Sequence, residues 1–125
     1  MELKRVVITG LGALTPIGNT MDEYWNGLIN GVSGAARITK FDPELFKTQF
    51  ACELKNFDIQ DHIDRREARR LDPFTQYAMV SSAEAMADAG LDLEKIDLDR
   101  AGVIWGSGIG GLTTFQEEAK GFYAG

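Results

Sequence analysis

The sequence predicts an α/β fold, and three observations lead there. Short apolar runs at Arg5 to Ile8 and Ala101 to Trp105 each lead into a glycine-rich turn. A long helical pattern separates them, from Phe74 to Ala89. The elements also alternate along the chain as strand, helix, strand, helix, strand, helix. With 125 residues, 44% of them apolar and 26% charged, the chain makes at most one ordinary domain and can bury a core without disulfide staples.

Arg5 to Ile8 reads as a short buried strand, and the following glycines, Pro16 and Asn19 mark a long turn. Asp22 to Asn30 carries helix formers, with Trp25, Leu28 and Ile29 on one face and Gly31 placed to stop it. Gly31 to Pro43 is a loop with at most a short extended piece at Ala36 to Ile38. Phe50 to Leu54 alternates weakly, as a strand would, and the densely charged Asp58 to Arg70 forms one or two short helices.

Phe74 to Ala89 has the clearest boundaries: Asp72 to cap it, Pro73 for its first position, and Gly90 for a left-handed stop. Phe74, Tyr77, Ala78, Ser81, Ala85 and Ala89 share one side, mostly small, so another element can approach closely. After a polar connection, Leu91 to Arg100, come the strand Ala101 to Trp105, a glycine loop and a final helix from Thr113. There is no internal repeat and no low-complexity tract.

Thirteen Lys and Arg against 19 Asp and Glu give a net charge of -6, which argues against general affinity for nucleic acid or an anionic membrane. One cysteine, Cys52, excludes an internal disulfide, and with the single His62 it cannot build a Cys/His zinc site, so no metal is expected. Only three apolar residues precede Thr9 after the basic start, far short of a signal peptide or membrane span, and the cytoplasm is the expected compartment. The chain stops with Phe122 and Tyr123 on no recognisable closing element, as a truncated chain would.

Two loops resemble nucleotide cradles. In "TGLGALTPIGN", Thr15 stands where a third glycine belongs and Pro16 removes an amide, so the dinucleotide pattern fails. The short-chain dehydrogenase spacing fails as well, on Leu14 and Pro16. Gly106, Gly108 and Gly111 match G-x-G-x-x-G between a strand and a helix, but the acidic residue about 20 positions on would fall beyond the chain. Leu112 excludes a Walker loop, and Trp105 and Ile109 around Ser107 exclude a hydrolase elbow. The simpler account is a close backbone passage beside an apolar pocket wall carrying Ile109.

"DRREARR" places four arginines within six positions of an acidic chain. Arg66, Arg69 and Arg70 fall at i, i+3 and i+4, a face that suits carboxylates or phosphate, or else a solvated stripe paired with Asp64 and Glu67. Cys52 reads as a small core residue and His62 as a surface or capping histidine. No paired carboxylates and no nucleophile with its base can be assembled.

Four stretches, "KRVVITGLGALTPIGN", "GVSGAARITKFD", "RREARRLDPFTQYAMVSSAEAMADAG" and "AGVIWGSGIGGL", occur in the order and spacing of one family. Across essentially all of its length the chain resembles bacterial β-ketoacyl-acyl carrier protein synthases, most of all those of type II. The resemblance implies a thiolase-like fold, in which two α/β halves stack into αβαβα layers and the intact protein is a homodimer. By the same resemblance, residues 1-125 correspond to the first part of the N-terminal half, truncated before the catalytic cysteine.

The implied reaction is decarboxylative condensation of acyl- and malonyl-acyl carrier protein in fatty acid biosynthesis, without a cofactor. The family's nucleophilic cysteine and two histidines match neither Cys52 nor His62, so no catalytic residue is expected in this chain, and the fragment alone is expected to be inert. By resemblance, Ile109 and Gly108 belong to the acyl pocket, and Arg66, Arg69 and Arg70 to the surface that docks the acidic carrier protein. The alternatives are a dinucleotide-binding domain and a non-catalytic carrier-protein docking module.

Overall fold

The computed structural model describes residues 3–125. Helix α1, Met21–Ile29, starts where Thr20 accepts the Glu23 N–H, while the Glu23 carboxylate accepts the Asn19 N–H at 2.8 Å. The first bond satisfies a donor the first turn would leave free, and the second ties the residue before the cap to the same turn. Two short strands follow, β1 (Ala36–Arg37) and β2 (Phe50–Ala51), paired antiparallel with Ala36 opposite Ala51 and Arg37 opposite Phe50. Both expected extended pieces are therefore present, though the ladder in the second stops at Ala51 rather than Leu54.

The charged segment folds as two short pieces, a 3-10 turn at Ile59–Asp61 and helix α2, Arg65–Ala68. Asp58 and Asp64 open them by accepting the N–H groups of Gln60 and Arg66. The Phe57 ring lies edge-on to Tyr77 of the next helix at 5.8 Å and stacks on His62 at 5.5 Å. His62 itself closes the 3-10 turn at the surface, as expected of a capping histidine.

Helix α3, Pro73–Asp88, is the centre of the structure. Pro73 opens it and Gly90, at φ +61°, closes it: the Leu91 and Gly90 N–H groups return to the carbonyls of Met86 and Ala87. Gln76 donates from its side chain to the Ala68 and Leu71 carbonyls, at 2.8 and 3.1 Å, and so ties the end of α2 to the start of α3. The small face predicted for α3 receives the glycine segment that follows Thr9. A Cβ on Gly10 would overlap the Ala85 carbonyl oxygen, and one on Gly12 the Ser81 carbonyl oxygen. Two carboxylates fasten the segment, Asp88 accepting the Leu11 N–H and Glu84 the Ala13 N–H, both at 2.8 Å.

Helix α4, Leu112–Ala124, begins one residue before the expected Thr113. A 3-10 turn at Leu98–Arg100 leads toward it.

Several expectations require correction. Arg5 to Ile8 and Ala101 to Trp105 form no strand among the described residues, so the structure is a mixed α/β chain whose sheet has two strands. Apolar composition gives a segment strand propensity, but a ladder also needs a partner edge. Nor is the first segment buried: Val6 is 88% and Ile8 81% exposed. The core is correspondingly small, with Ala68, Ala78, Val80 and Ser81 buried and no large side chain fully enclosed among the described residues. Cys52 lies at the surface rather than in that core, just past the end of β2, whose Phe50 is itself 65% exposed. Asp72 precedes α3 without capping it, for a reason that lies at the glycine loop.

Candidate functional site

The loop Gly106 to Gly111 reaches α4 through Gly111, whose φ of +73° is a conformation that a side chain makes costly. Phe115 donates to the Gly111 carbonyl at 2.9 Å and starts the helix. Gly110 passes against the ring of Phe74, where a Cβ would stand 2.9 Å from Cε1. Ile109, one residue earlier, borders a shallow depression shared with Lys40, Asp72, Phe74, Tyr77 and Leu112. Its side chain is 76% exposed, an apolar group held among glycines on an open wall. Gly108 is also exposed, and a Cβ there would meet nothing within 4 Å.

The free amides of the first turn of α4 would attract a phosphate. That end already holds an anion. The Asp72 carboxylate accepts the Thr114 hydroxyl at 2.7 Å and the Thr114 N–H at 3.4 Å. A pyrophosphate on this loop would have to displace a carboxylate of its own sign, which disfavours the dinucleotide alternative. It also explains why Asp72 does not cap α3: its side chain turns to the neighbouring helix.

The second group lies on and just after α2. Arg66 is within it, Arg69 closes it and Arg70 follows, all three exposed. None pairs with Asp64 or Glu67, since the one ion pair among the described residues joins Lys95 and Asp92 at 2.6 Å. Asp64 instead accepts the Arg66 N–H at 2.8 Å. The three guanidinium groups thus face solvent without carboxylate partners, on a chain that is acidic overall. Such an arrangement suits a carboxylate- or phosphate-bearing partner.

Chemistry on bonds is another matter. Cys52 and His62 are both exposed, and among the described residues no three His, Cys, Asp or Glu side chains converge as metal ligands would. No helix among them is long and apolar enough to cross a membrane. Two carboxylates that solvent reaches are nonetheless displaced below their usual pKa. Glu53 is held down chiefly by the hydroxyl of Thr39, and Asp92 chiefly by Lys95.

The sequence left the roles of Glu84, Asp88 and Thr114 unread. Asp88 carried a signal all the same: a carboxylate in the last turn of a helix opposes the helix dipole unless it has donors to accept. Its donor is the Leu11 N–H.

Comparison with known proteins places these features in context. Residues 3–123 match the model of the beta-ketoacyl synthase N-terminal domain. The 3-oxoacyl-[acyl-carrier-protein] synthase 2 of Staphylococcus aureus strain COL is 55% identical over 113 residues, covering 90% of this chain and 27% of that protein. The enzyme of the same name from Synechocystis sp. is 45% identical over 118 residues, covering 94% of this chain and 28% of its own. The chain therefore spans about a quarter of the length of these curated relatives. Among solved structures, the ishigamide ketosynthase/chain length factor aligns with a TM-score of 0.63 at 35% identity, over 72% of this chain and 22% of that one. A type II PKS acyl-carrier protein in complex with its ketosynthase, bound to a hexaketide, aligns at 0.60 and 28% identity, over 78% and 24%.

Proposed function

Since the chain belongs to the β-ketoacyl synthase family through its N-terminal domain, we propose that it is part of a condensing acyltransferase of fatty acid biosynthesis. The reaction lengthens an acyl chain carried on acyl carrier protein. An enzyme thiolate takes the acyl group, forming a new thioester and releasing the carrier's thiol. Malonyl-acyl carrier protein then loses carbon dioxide, and the carbon–carbon electron pair becomes a carbanion that attacks the acyl thioester. The enzyme thiolate leaves, and the product is a 3-oxoacyl thioester two carbons longer.

The described residues of this chain take the binding roles. Ile109 and Gly108 line the passage for the acyl chain, where an apolar side chain among glycines limits depth without offering a polar group. Arg66, Arg69 and Arg70 receive the acidic carrier protein, which supplies the carboxylates that this chain itself withholds from them. The unpaired runs at 5–8 and 101–105 belong to the sheet of a thiolase-like layered core, which works as a homodimer in the cytoplasm.

One observation carries the proposal: the match to 3-oxoacyl-[acyl-carrier-protein] synthases, over 90% or more of this chain, is long enough to span both the arginine segment and the glycine loop. The test is condensation itself. The complete gene product, given acyl- and malonyl-acyl carrier protein, releases carbon dioxide and forms 3-oxoacyl-acyl carrier protein. A folded complete protein that does neither would overturn the assignment.

A further inference from the structure

The glycine loop is held from one side by the start of α3, where Asp72 bonds to Thr114, 42 positions on in sequence and just past the loop. Thr114, in the first turn of α4, donates its hydroxyl to Asp72 Oδ2 at 2.7 Å. The same carboxylate oxygen lies 3.5 Å from where a Gly111 Cβ would stand, and the Phe74 ring closes over Gly110. The two residues after Ile109 are therefore bracketed: carboxylate beneath one, aromatic ring against the other. Gly110 and Gly111 are the positions where a loop without side chains has least stiffness of its own. Their placement comes from these neighbours.

We infer that the Asp72–Thr114 clasp, with Phe74, sets the position of Ile109 and thereby the acyl-chain selectivity of the site. Asp72 and Thr114 are positioning residues in this account; they act through the backbone of the loop and touch no acyl chain. The inference rests on the assignment of Ile109 to the acyl pocket. Ile109 itself is largely exposed beside its depression, so its place follows from the backbone that carries it. Loosening the clasp lets it shift away from the passage, so chains of different length are discriminated less.

The experiment measures kcat/KM of the complete gene product for long and short acyl-acyl carrier proteins, hexadecanoyl and octanoyl, and takes their ratio. Thr114→Val keeps the shape and removes the hydroxyl, and it moves the ratio toward unity by about threefold, a modest effect suited to a solvent-accessible charge-assisted bond. Thr114→Ser restores the wild-type ratio. Asp72→Asn weakens the clasp from the other side, and the double variant is no worse than either single one, as expected of one shared interaction. A merely structural role would lower both rates together and leave the ratio alone. Ile109→Phe serves as the reference. If it changes the ratio while Thr114→Val and Asp72→Asn do not, the positioning role is wrong and the pocket assignment stands. If Ile109→Phe also leaves the ratio unchanged, the pocket assignment falls, and this inference with it.

Discussion

The Glu84 carboxylate accepts the Met21 N–H at 2.7 Å through one oxygen and the Ala13 N–H at 2.8 Å through the other. One side chain of α3 thus holds the glycine segment and the first residue of α1 together, although 63 and 71 positions separate the partners. Asp88, one turn further along, extends the grip to Leu11. Helix α3 organises this half of the structure by carboxylates as much as by apolar packing.

Replacing Glu84 by alanine leaves the Ala13 and Met21 amides without their acceptor. Hydrogen bonds to charged groups contribute roughly 1.5–3 kcal/mol, less where solvent reaches them, so exchange of those amides should quicken by about tenfold or more. Hydrogen–deuterium exchange of the complete gene product, followed on peptides spanning residues 11–21, reads this out. Glu84→Gln retains one good acceptor and should fall between. Unchanged exchange in Glu84→Ala would show that the loop does not depend on the carboxylate.

Gly12→Ala and Gly121→Ala should move stability in opposite directions. At Gly12 the new methyl meets the Ser81 backbone carbonyl, which cannot swing aside, and the strain of overpacking costs roughly 1–3 kcal/mol. At Gly121, inside α4, the methyl meets nothing within 4 Å, and the gain in helix propensity is about 0.5–1 kcal/mol. Thermal denaturation of the two variants beside the wild type checks both signs.

Reversing Arg66, Arg69 and Arg70 to Glu should weaken binding of acyl carrier protein by at least about tenfold and flatten its dependence on salt. Titration calorimetry at two ionic strengths measures both. Equal affinity in the variant would remove these arginines from docking.

Glu53 provides a pH test. Its carboxylate accepts the Thr39 hydroxyl at 2.7 Å and the Thr39 N–H at 3.0 Å, which lowers its pKa below the ordinary 4.5. A depressed carboxylate pKa means that the stabilisation is complete above 4.5 and fades as pH falls through the lower folded value. The amide resonance of Thr39 should therefore titrate with a midpoint below 4.5 and disappear as a titration in Glu53→Gln.

What was legible in the sequence was local. Helix α3 announced its own limits through Pro73 and Gly90, and its small face through Ser81, Ala85 and Ala89, because caps and periodicity are properties of neighbouring residues. The short charged helix that opens at Asp64 was legible for the same reason, although it ends at Ala68 and leaves Arg70 beyond it. Strands at 5–8 and 101–105 were not, since pairing depends on an edge elsewhere in space. Asp72 shows the limit most clearly. Its place before Pro73 says helix cap, yet a hydroxyl 42 residues away claims the carboxylate, and only the folded chain brings the two together.

The central claim is that the loop from Gly106 to Gly111 serves an acyl chain rather than a nucleotide. Photolabelling tests it directly: the complete gene product is irradiated with acyl carrier protein bearing a fatty acyl chain that ends in a diazirine, and the labelled peptides are identified by mass spectrometry. The account predicts label on the peptide containing Ile109, undiminished by excess NAD(H). Label confined to other peptides, or abolished by the nucleotide, would contradict it.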